Sequence, residues 1–173
     1  MIFGKLFLER VNSNFVRSSS DQFSEYLQAN MELIPGEIKV ISFAEYIKRL
    51  PFFTSINVFR TQPTQKFFIM EINQQVIFSF TDRLLGGKGS VSMKERQNFS
   101  FSEGVVLDKV TERFKQIYTD VFFDCTLVRR ESQSRVIHTF LGTESVFVSD
   151  YQCYVNEQLV GGIHSCFPNA ETI

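Results

Sequence analysis

Residues 100–122 read SFSEGVVLDKVTERFKQIYTDVF, and this segment decides how the chain is organised. Its large apolar side chains recur at helical spacing and so define one face of a helix. The residues on that face are Val106, Val110, Phe114 and Ile117. Ser102 is expected to cap the helix, and Glu103 would lie favourably in its first turn. The segment therefore predicts an amphipathic helix that opens the second half of the chain.

A similar pattern opens the first half. Residues 5–30 predict a helix, although its apolar face weakens across RSSSDQ (residues 17–22), which allows a break or weak turn there. The face consists of Leu8, Val11, Phe15, Ser19, Gln22 and Tyr26. The next segments predict a strand at 37–43, a short helix at 43–51, strands at 55–61 and 66–72, and a helix from residue 73.

Strand patterns also follow the second helix, at about 121–130, 134–141, 144–155 and 158–167. Helix, strands, helix and strands in this order predict a duplicated α/β unit. We therefore expect a single domain over residues 1–173, with halves of about 1–90 and 91–173. The glycine- and serine-rich stretch 86–100 is expected to form an exposed loop between them.

Composition excludes several classes of function. The formal net charge of −1 gives no reason to expect nucleic-acid or anionic-membrane binding, and no apolar run approaches the length of a membrane span. The cysteines Cys125, Cys153 and Cys166 lack zinc-ligand spacing, so we expect reduced thiols on strands and neither metal nor cofactor. His164 and Cys166 can share a strand face as a nucleophile pair, but no orienting third group is evident.

The stretch TDRLLGGKGS (residues 81–90) packs three glycines around one lysine, as phosphate-binding loops do. A Walker-type loop needs a glycine where Asp82 stands, and Ser or Thr after Lys88, where Gly89 stands. The stretch also follows a helix that Gly86 is expected to end, not a strand. Nucleotide binding is thus disfavoured. A helix cap with a turn remains, or a contact loop that a partner's backbone can approach closely.

This stretch, with NFSFSE (98–103) after it, resembles the middle domain of the FliM family of bacterial flagellar motor switch proteins. That family commonly carries Asp-x-Leu-Phe-Gly-Gly-x-Gly and then Phe-Thr-x-x-Glu; here Leu85 takes the place of the phenylalanine and Ser100 that of the threonine. Residues 42–59, 128–132, 142–155 and 161–173 are similar to further family segments. The resemblance covers nearly the whole chain, and we expect an excised middle domain, not a short diverged relative.

The resemblance implies a three-layer α/β/α sandwich with pseudo-twofold internal duplication, of the CheC-like fold. It implies a nonenzymatic structural and signalling role in the motor's switch ring, at the cytoplasmic face of the inner membrane in the flagellar basal body. The implied partners are the rotor protein FliG, neighbouring FliM copies and, in a weak secondary contact, the phosphorylated response regulator CheY. Nucleic acid and direct membrane insertion are not expected.

Carried onto this chain, the implied FliG-binding residues are Asp82, Arg83, Gly86, Gly87, Lys88 and Gly89. Lys88 stands at the variable position of the motif and is expected to tune affinity. A side chain at Gly87, as in Gly87→Trp, is expected to block the rotor contact while folding stays largely intact.

The same fold also implies an alternative, because CheC-type phosphatases of the response regulator share it. Their helical motif places an acid and an amide three residues apart, so the acid can hold the regulator's lysine while the amide orients a water. Glu9 and Asn12 have that spacing, but Lys5 stands where the motif has Asp or Ser. In the second helix Glu103 is followed by Val106. A solvated polar face is the simpler interpretation of Glu9 and Asn12.

Overall fold

Residues 4–90, 98–134 and 137–169 are described by the computed structural model of the protein. Within them the chain forms helices and strands in an order that keeps the predicted alternation. The elements are α1 (Lys5–Leu27), β1 (Met31–Pro35), β2 (Lys39–Ser42), α2 (Phe43–Arg49), β3 (Phe53–Thr61), β4 (Phe67–Ile72), α3 (Gln74–Leu84), α4 (Phe101–Val121), β5 (Cys125–Gln133), β6 (Ser145–Val155) and β7 (Gln158–Pro168).

The strands build one antiparallel sheet in the order β1-β6-β7-β4-β3-β5, and β2 also pairs with β6. Exchanging β1 with β5, β6 with β3 and β7 with β4 reproduces the same order read from the other edge. The exchange relates α1 to α4, since each helix precedes the first strand of its half. The predicted pseudo-twofold duplication is therefore confirmed, with the pseudo-axis between β7 and β4.

Both faces of the sheet are covered by helices, which confirms the predicted three-layer α/β/α sandwich. Helices α1, α3 and α4 bury the larger cluster, which includes Phe15, Phe80 and Phe114, against one face. Helix α2 buries Phe43 and Tyr46 against part of the other face. Because strand side chains alternate between faces, β4, β6 and β7 contribute to both clusters.

Helices α1 and α4 pack antiparallel across the pseudo-axis. The ring centroids of Phe7 and Phe122 lie 4.9 Å apart, those of Phe15 and Phe114 lie 5.7 Å apart, and those of Phe23 and Phe114 lie 4.5 Å apart. The predicted apolar face of α4 is buried along its length. Many of the 20 phenylalanines therefore fill the core, as bulky rings usually do.

The cap of α4 differs from the prediction. Ser100, not Ser102, is the N-cap: its hydroxyl accepts a hydrogen bond from the Glu103 amide, and the Glu103 carboxylate accepts one from the Ser100 amide, 2.7 Å away. This reciprocal pair is a capping box, which needs Ser and Glu three residues apart. Ser102 is one residue away from Glu103 and cannot form it. Glu103 does lie in the first turn, as predicted.

Helix α1 is continuous across RSSSDQ, where a break was allowed. Its serines bond to β1, a strand that the sequence pattern did not predict. The Ser20 hydroxyl accepts from the Leu33 amide at 3.1 Å, and the Ser24 hydroxyl bonds both the amide and the carbonyl of Met31. Weak helix formers are thus retained because they satisfy the backbone of an edge strand. Gln22 and Tyr26 were expected on the buried face of α1, but the residue buried in this part of the helix is Phe23.

Other expectations have mixed outcomes. All three cysteines are free, buried and on strands, as predicted. A strand was predicted at 134–141, but Ser134 and residues 137–141 are not in a strand. Residues 135 and 136 lie outside the described ranges, as do residues 91–97 of the predicted exposed loop. In the described part of the chain, no helix has both the length and the apolar character needed to cross a bilayer.

Candidate functional site

The candidate site is the corner that follows α3, defined here as residues 84–89. The helix ends at Leu84 with Leu85 as its C-cap, and the predicted stop residue Gly86 follows with a φ of +97°, which is left-handed and favours glycine. The Gly86 amide donates to the carbonyl of Arg83 at 3.1 Å, and the Gly87 amide donates to that of Asp82 at 2.8 Å. These bonds satisfy the last carbonyls of α3 and reverse the chain.

Asp82 closes the corner from inside. Its carboxylate accepts a hydrogen bond from the Gly89 amide at 2.9 Å. A Cβ placed on Gly87 would lie 2.4 Å from one Asp82 carboxylate oxygen, nearer than real Cβ contacts come. Gly87 is therefore required so that the carboxylate can pass beneath the backbone and reach Gly89.

Arg83 ties the corner to the end of α1. Its guanidinium donates to the carbonyls of Leu27 at 3.0 Å and Gln28 at 2.5 Å, and also to the carbonyl of Gly87 at 3.1 Å. The first two acceptors belong to the C-terminal end of α1, where a cation is favourable. One side chain thus fixes the corner relative to the neighbouring helix.

Gly89 anchors the far side of the corner against the sheet. It is buried with a φ of +81°, and its carbonyl accepts from the Ser79 hydroxyl at 2.7 Å. A Cβ here would lie 3.1 Å from a methyl of Val155 at the end of β6. Glycine is needed for both the backbone conformation and the close packing.

The six sequence-predicted site residues are brought together, but they divide into two groups. Gly86 and Lys88 are exposed, whereas Asp82, Arg83 and Gly87 are half-buried and Gly89 is buried. Sequence reasoning missed Leu85, which is 76% exposed. The signal was available, because a leucine between the last helical turn and a glycine pair lies off the apolar face of the helix.

The same geometry revises the interpretation of Gly87→Trp. Any side chain at this position must displace the Asp82 carboxylate and release the Gly89 amide. The substitution therefore changes the shape of the corner itself. It does not add a side chain to an intact surface, and exposed positions make sharper probes.

The residues of the phosphatase alternative do not form a joint site. Glu9 is exposed, but Asn12 is buried, and its amide group is occupied. The amide nitrogen donates to the Ser149 hydroxyl at 2.8 Å, and the amide oxygen accepts from the Tyr151 hydroxyl at 2.7 Å. Asn12 therefore anchors α1 to β6, and its side chain is directed away from a position where it could orient a water beside Glu9.

The second half was also compared at the wrong positions. Buried residues of the two long helices match as Leu8 with Leu107, Val11 with Val110 and Phe15 with Phe114, which is a constant offset of 99 residues. Glu9 and Asn12 then correspond to Asp108 and Thr111, not to Glu103 and Val106.

Asp108 and Thr111 are engaged by a single side chain. Arg130 forms an ion pair with Asp108 and donates to the hydroxyl of Thr111 at 3.0 Å. Its Nε donates to Asn57 on β3 at 2.8 Å. In both halves the position of Asn12 and Thr111 therefore holds the helix on the sheet.

The described residues offer little else for covalent or metal chemistry. Burial raises the pKa of the Cys166 thiol well above its ordinary value, which keeps this thiol neutral. The imidazole of His164 is hydrogen-bonded to Glu71. Within residues 4–90, 98–134 and 137–169, no three His, Cys, Asp or Glu side chains are grouped to bind a metal.

The fold defines the class of protein: a domain of the CheC-like three-layer fold. A CheC-like superfamily protein from Shewanella sp. PV-4 shares the fold, with a TM-score of 0.53 at 14% identity over 95% of this chain and 99% of that one. The family model described as "Flagellar motor switch protein FliM" matches residues 6–172. The chain belongs to the FliM family, as the sequence resemblance predicted.

Two family members show how far the likeness extends. The FliM protein of Bacillus subtilis is 22% identical over 167 residues, which are 94% of this chain and 50% of that protein. A crystal structure of a FliG–FliM complex from H. pylori superposes with a TM-score of 0.80 at 26% identity, over 95% of this chain and 92% of that one. The chain spans about half the length of the B. subtilis relative.

Proposed function

We propose that this domain is a nonenzymatic assembly unit of the bacterial flagellar motor switch, and that its corner binds the rotor protein FliG. The observation that carries the proposal is the division of the corner into an outward and an inward side. Leu85, Gly86 and Lys88 face solvent, while Asp82 and Arg83 hold them from behind. The H. pylori relative with the same fold was crystallised in a FliG–FliM complex, which supports this choice of partner.

The corner suits recognition because it is already ordered. The Asp82 carboxylate accepts a hydrogen bond from its backbone, and Arg83 and Ser79 donate to it, so binding loses little further conformational entropy. No described atom lies within 4 Å of a Cβ placed on Gly86, so a partner's backbone can approach closely there. Leu85 supplies an apolar anchor beside this gap. Lys88 adds a positive charge that tunes the affinity for the partner, and its contribution decreases as the salt concentration rises.

The remaining assignments follow from family membership and are part of the same proposal. Neighbouring copies would pack side by side in a ring, and phosphorylated CheY would make a weak secondary contact. The site of action would be the cytoplasmic face of the inner membrane, in the flagellar basal body. The binding residues proposed are Gly86, Gly87 and Lys88 with Leu85, whereas Asp82, Arg83 and Gly89 would act by holding the corner in shape.

The test is calorimetric titration of the domain with the middle domain of FliG. We expect saturable binding that Leu85→Ser weakens by about tenfold or more, because an exposed leucine that becomes buried on binding acts as an anchor. Leu141→Ser is the matched control: Leu141 is 70% exposed in the segment between β5 and β6. Its substitution is expected to leave binding unchanged.

Two results would overturn the proposal. One is wild-type-like binding by Leu85→Ser and by Lys88→Glu together. The other is an equal loss with Leu141→Ser, which would show that the assay responds to general surface apolarity. Circular dichroism spectra of all variants must match the wild type, so that a loss of binding is not a loss of fold.

A further inference from the structure

A second polar cluster lies on the α2 side of the sheet, next to the strand ends where α3 begins and away from the corner. Glu71 on β4 is 0% exposed, and its carboxyl group has three hydrogen-bonding neighbours. The Thr54 hydroxyl donates to one oxygen, and the Asn73 amide donates to the same oxygen at 2.7 Å. The other oxygen is hydrogen-bonded to Nδ1 of His164 on β7.

Asn73 connects this carboxyl group to α3. It is the N-cap residue of α3, and its backbone amide donates to the Gly162 carbonyl at 3.0 Å. Its side-chain oxygen accepts from the Gly162 amide at 2.9 Å. A Cβ on Gly162 would lie 3.2 Å from both Asn73 and His164, so the contact is closely packed. The start of α3 is therefore held to β7 by a residue that Glu71 orients.

His164 carries the charge that can change. A buried carboxylate is costly unless a cation and hydrogen bonds compensate it, and imidazolium in contact with Glu71 provides both. The opposite ring nitrogen, Nε2, lies 3.8 Å from the Asp150 carboxylate, which in turn pairs with Lys39 at 2.9 Å. His164 also lines an open groove of about 580 Å³ with Asn73, Asp150 and Gly162, so protons can reach it from solvent.

We propose that Glu71 and His164 form a proton-dependent latch that holds the start of α3 on the sheet. With the imidazolium present, Glu71 is compensated and keeps Asn73 in place. When His164 loses its proton, the buried pair loses its attraction and the hold on the first turn of α3 weakens. Helix α3, about 16 Å long, joins this contact to the corner at its other end.

The charged groups around His164 together favour its protonated form, which the latch requires. Burial lowers the pKa of His164, but the hydrogen bond and the charge of Glu71 raise it, and Asp150 raises it further against a small opposing effect of Lys39. The balance lies above the ordinary value. The phenol of Tyr46 on α2 faces the same cluster, and burial, with a further contribution from the charges of Glu71 and Asp150, raises its pKa, so it stays neutral.

The test combines a histidine titration with amide hydrogen exchange on the isolated domain, from about pH 5.5 to 8.5, the range in which histidine titrates. After correction for intrinsic exchange rates, we expect the amides of Asn73 and Gly162, which donate across this contact, to lose about threefold to tenfold protection as His164 deprotonates, the range expected for one hydrogen bond. His164→Gln should remove this pH dependence. His138→Gln, the matched control, should keep it.

A second variant covers the case in which His164→Gln does not fold. Glu71→Gln keeps a hydrogen-bonding group but removes the charge, so the pKa of His164 should fall below its wild-type value and the protection should become independent of pH. The latch is rejected if wild-type protection does not change through the titration of His164. It is also rejected if His138→Gln alone abolishes the change. Neither readout uses FliG, so this result is independent of the proposed binding function.

Discussion

The Asp82 carboxylate and the Gly89 amide, 2.9 Å apart, close the corner by a hydrogen bond that spans the whole Gly-Gly-Lys-Gly turn. The partners are seven positions apart in sequence, and the carboxylate reaches the amide because Gly87 has no side chain. The corner is thus shaped by the last helical turn before it.

The first prediction concerns this bond. Asp82→Ala leaves the buried Gly89 amide without its acceptor and should destabilise the corner by about 1–3 kcal/mol. Asp82→Asn keeps an acceptor oxygen and should retain most of that stability. Amide exchange at Gly89 measures the effect directly. Equal exchange rates in Asp82→Ala and the wild type would contradict the role of the bond.

The second prediction is that Gly87 and Asp82 are coupled. Gly87→Ala alone must displace the carboxylate, so its effect on Gly89 exchange should match that of Asp82→Ala. In the double variant the alanine meets no carboxylate, so the combined loss should be smaller than the sum. A double-mutant cycle by urea unfolding measures the coupling free energy between the two residues. Strict additivity would show that the two residues act separately.

The third prediction concerns Arg83, whose guanidinium reaches three carbonyls on two segments. Arg83→Lys keeps the charge but cannot reproduce this planar set of donors, so it should cost about 1–3 kcal/mol of unfolding free energy. Lys88→Arg nearby serves as the control, because Lys88 is exposed and its replacement should change stability by less than about 0.5 kcal/mol. The idea fails if both variants unfold at the same urea concentration.

The fourth prediction separates structure from catalysis at the first helix. Asn12→Ala leaves Ser149 and Tyr151 without their buried partner and should destabilise the fold by about 1–3 kcal/mol, whereas Glu9→Gln on the exposed face should be close to neutral. Phosphorylated CheY should lose phosphate at the same rate with and without the wild-type domain. Acceleration that both substitutions remove would restore the phosphatase alternative.

The fifth prediction is a pH dependence of stability. The folded-state pKa of His164 is raised above the ordinary value, so the protonated pair contributes its full stability below about pH 6.5 and loses it as the pH rises through the folded pKa. Urea unfolding of the wild type should give an unfolding free energy that decreases as the pH rises through this range. His164→Gln should flatten that part of the curve, while His138→Gln should leave it as it is.

Much of the fold could be predicted because its long elements carry strong periodic patterns. Val110 and Phe114 recur at helical spacing and are buried, and the strands around Val58 and Ile69 are dense in apolar residues. Strand β1 was missed because its backbone is satisfied by the distant strand β6 on one side and by Ser20 and Ser24 of α1 on the other. Local spacing cannot show such a long-range pairing.

The candidate site was located from the glycines, but the roles within it were not separable from the sequence. Asp82 and Lys88 are both charged residues and look alike in a sequence pattern. In the structure, Asp82 is directed into the corner, whereas Lys88 is directed outward. That direction depends on where the chain turns, and so on the φ of Gly86 and on the α1 carbonyls that Arg83 reaches. Asn12 was misplaced for a similar reason, since only packing shows that it faces β6.

The near-symmetry of the sheet has a consequence for valency. Among the described residues, one helix, α3, ends in a glycine corner of this kind, so the described part of each copy offers one such corner. If that corner is the rotor contact, attachment points in a ring equal the number of copies, and mixed rings of wild-type and Leu85→Ser copies would lose attachment in proportion to the variant dose. The duplication would then double the sheet and its long helices, while each copy would have a single rotor-binding corner.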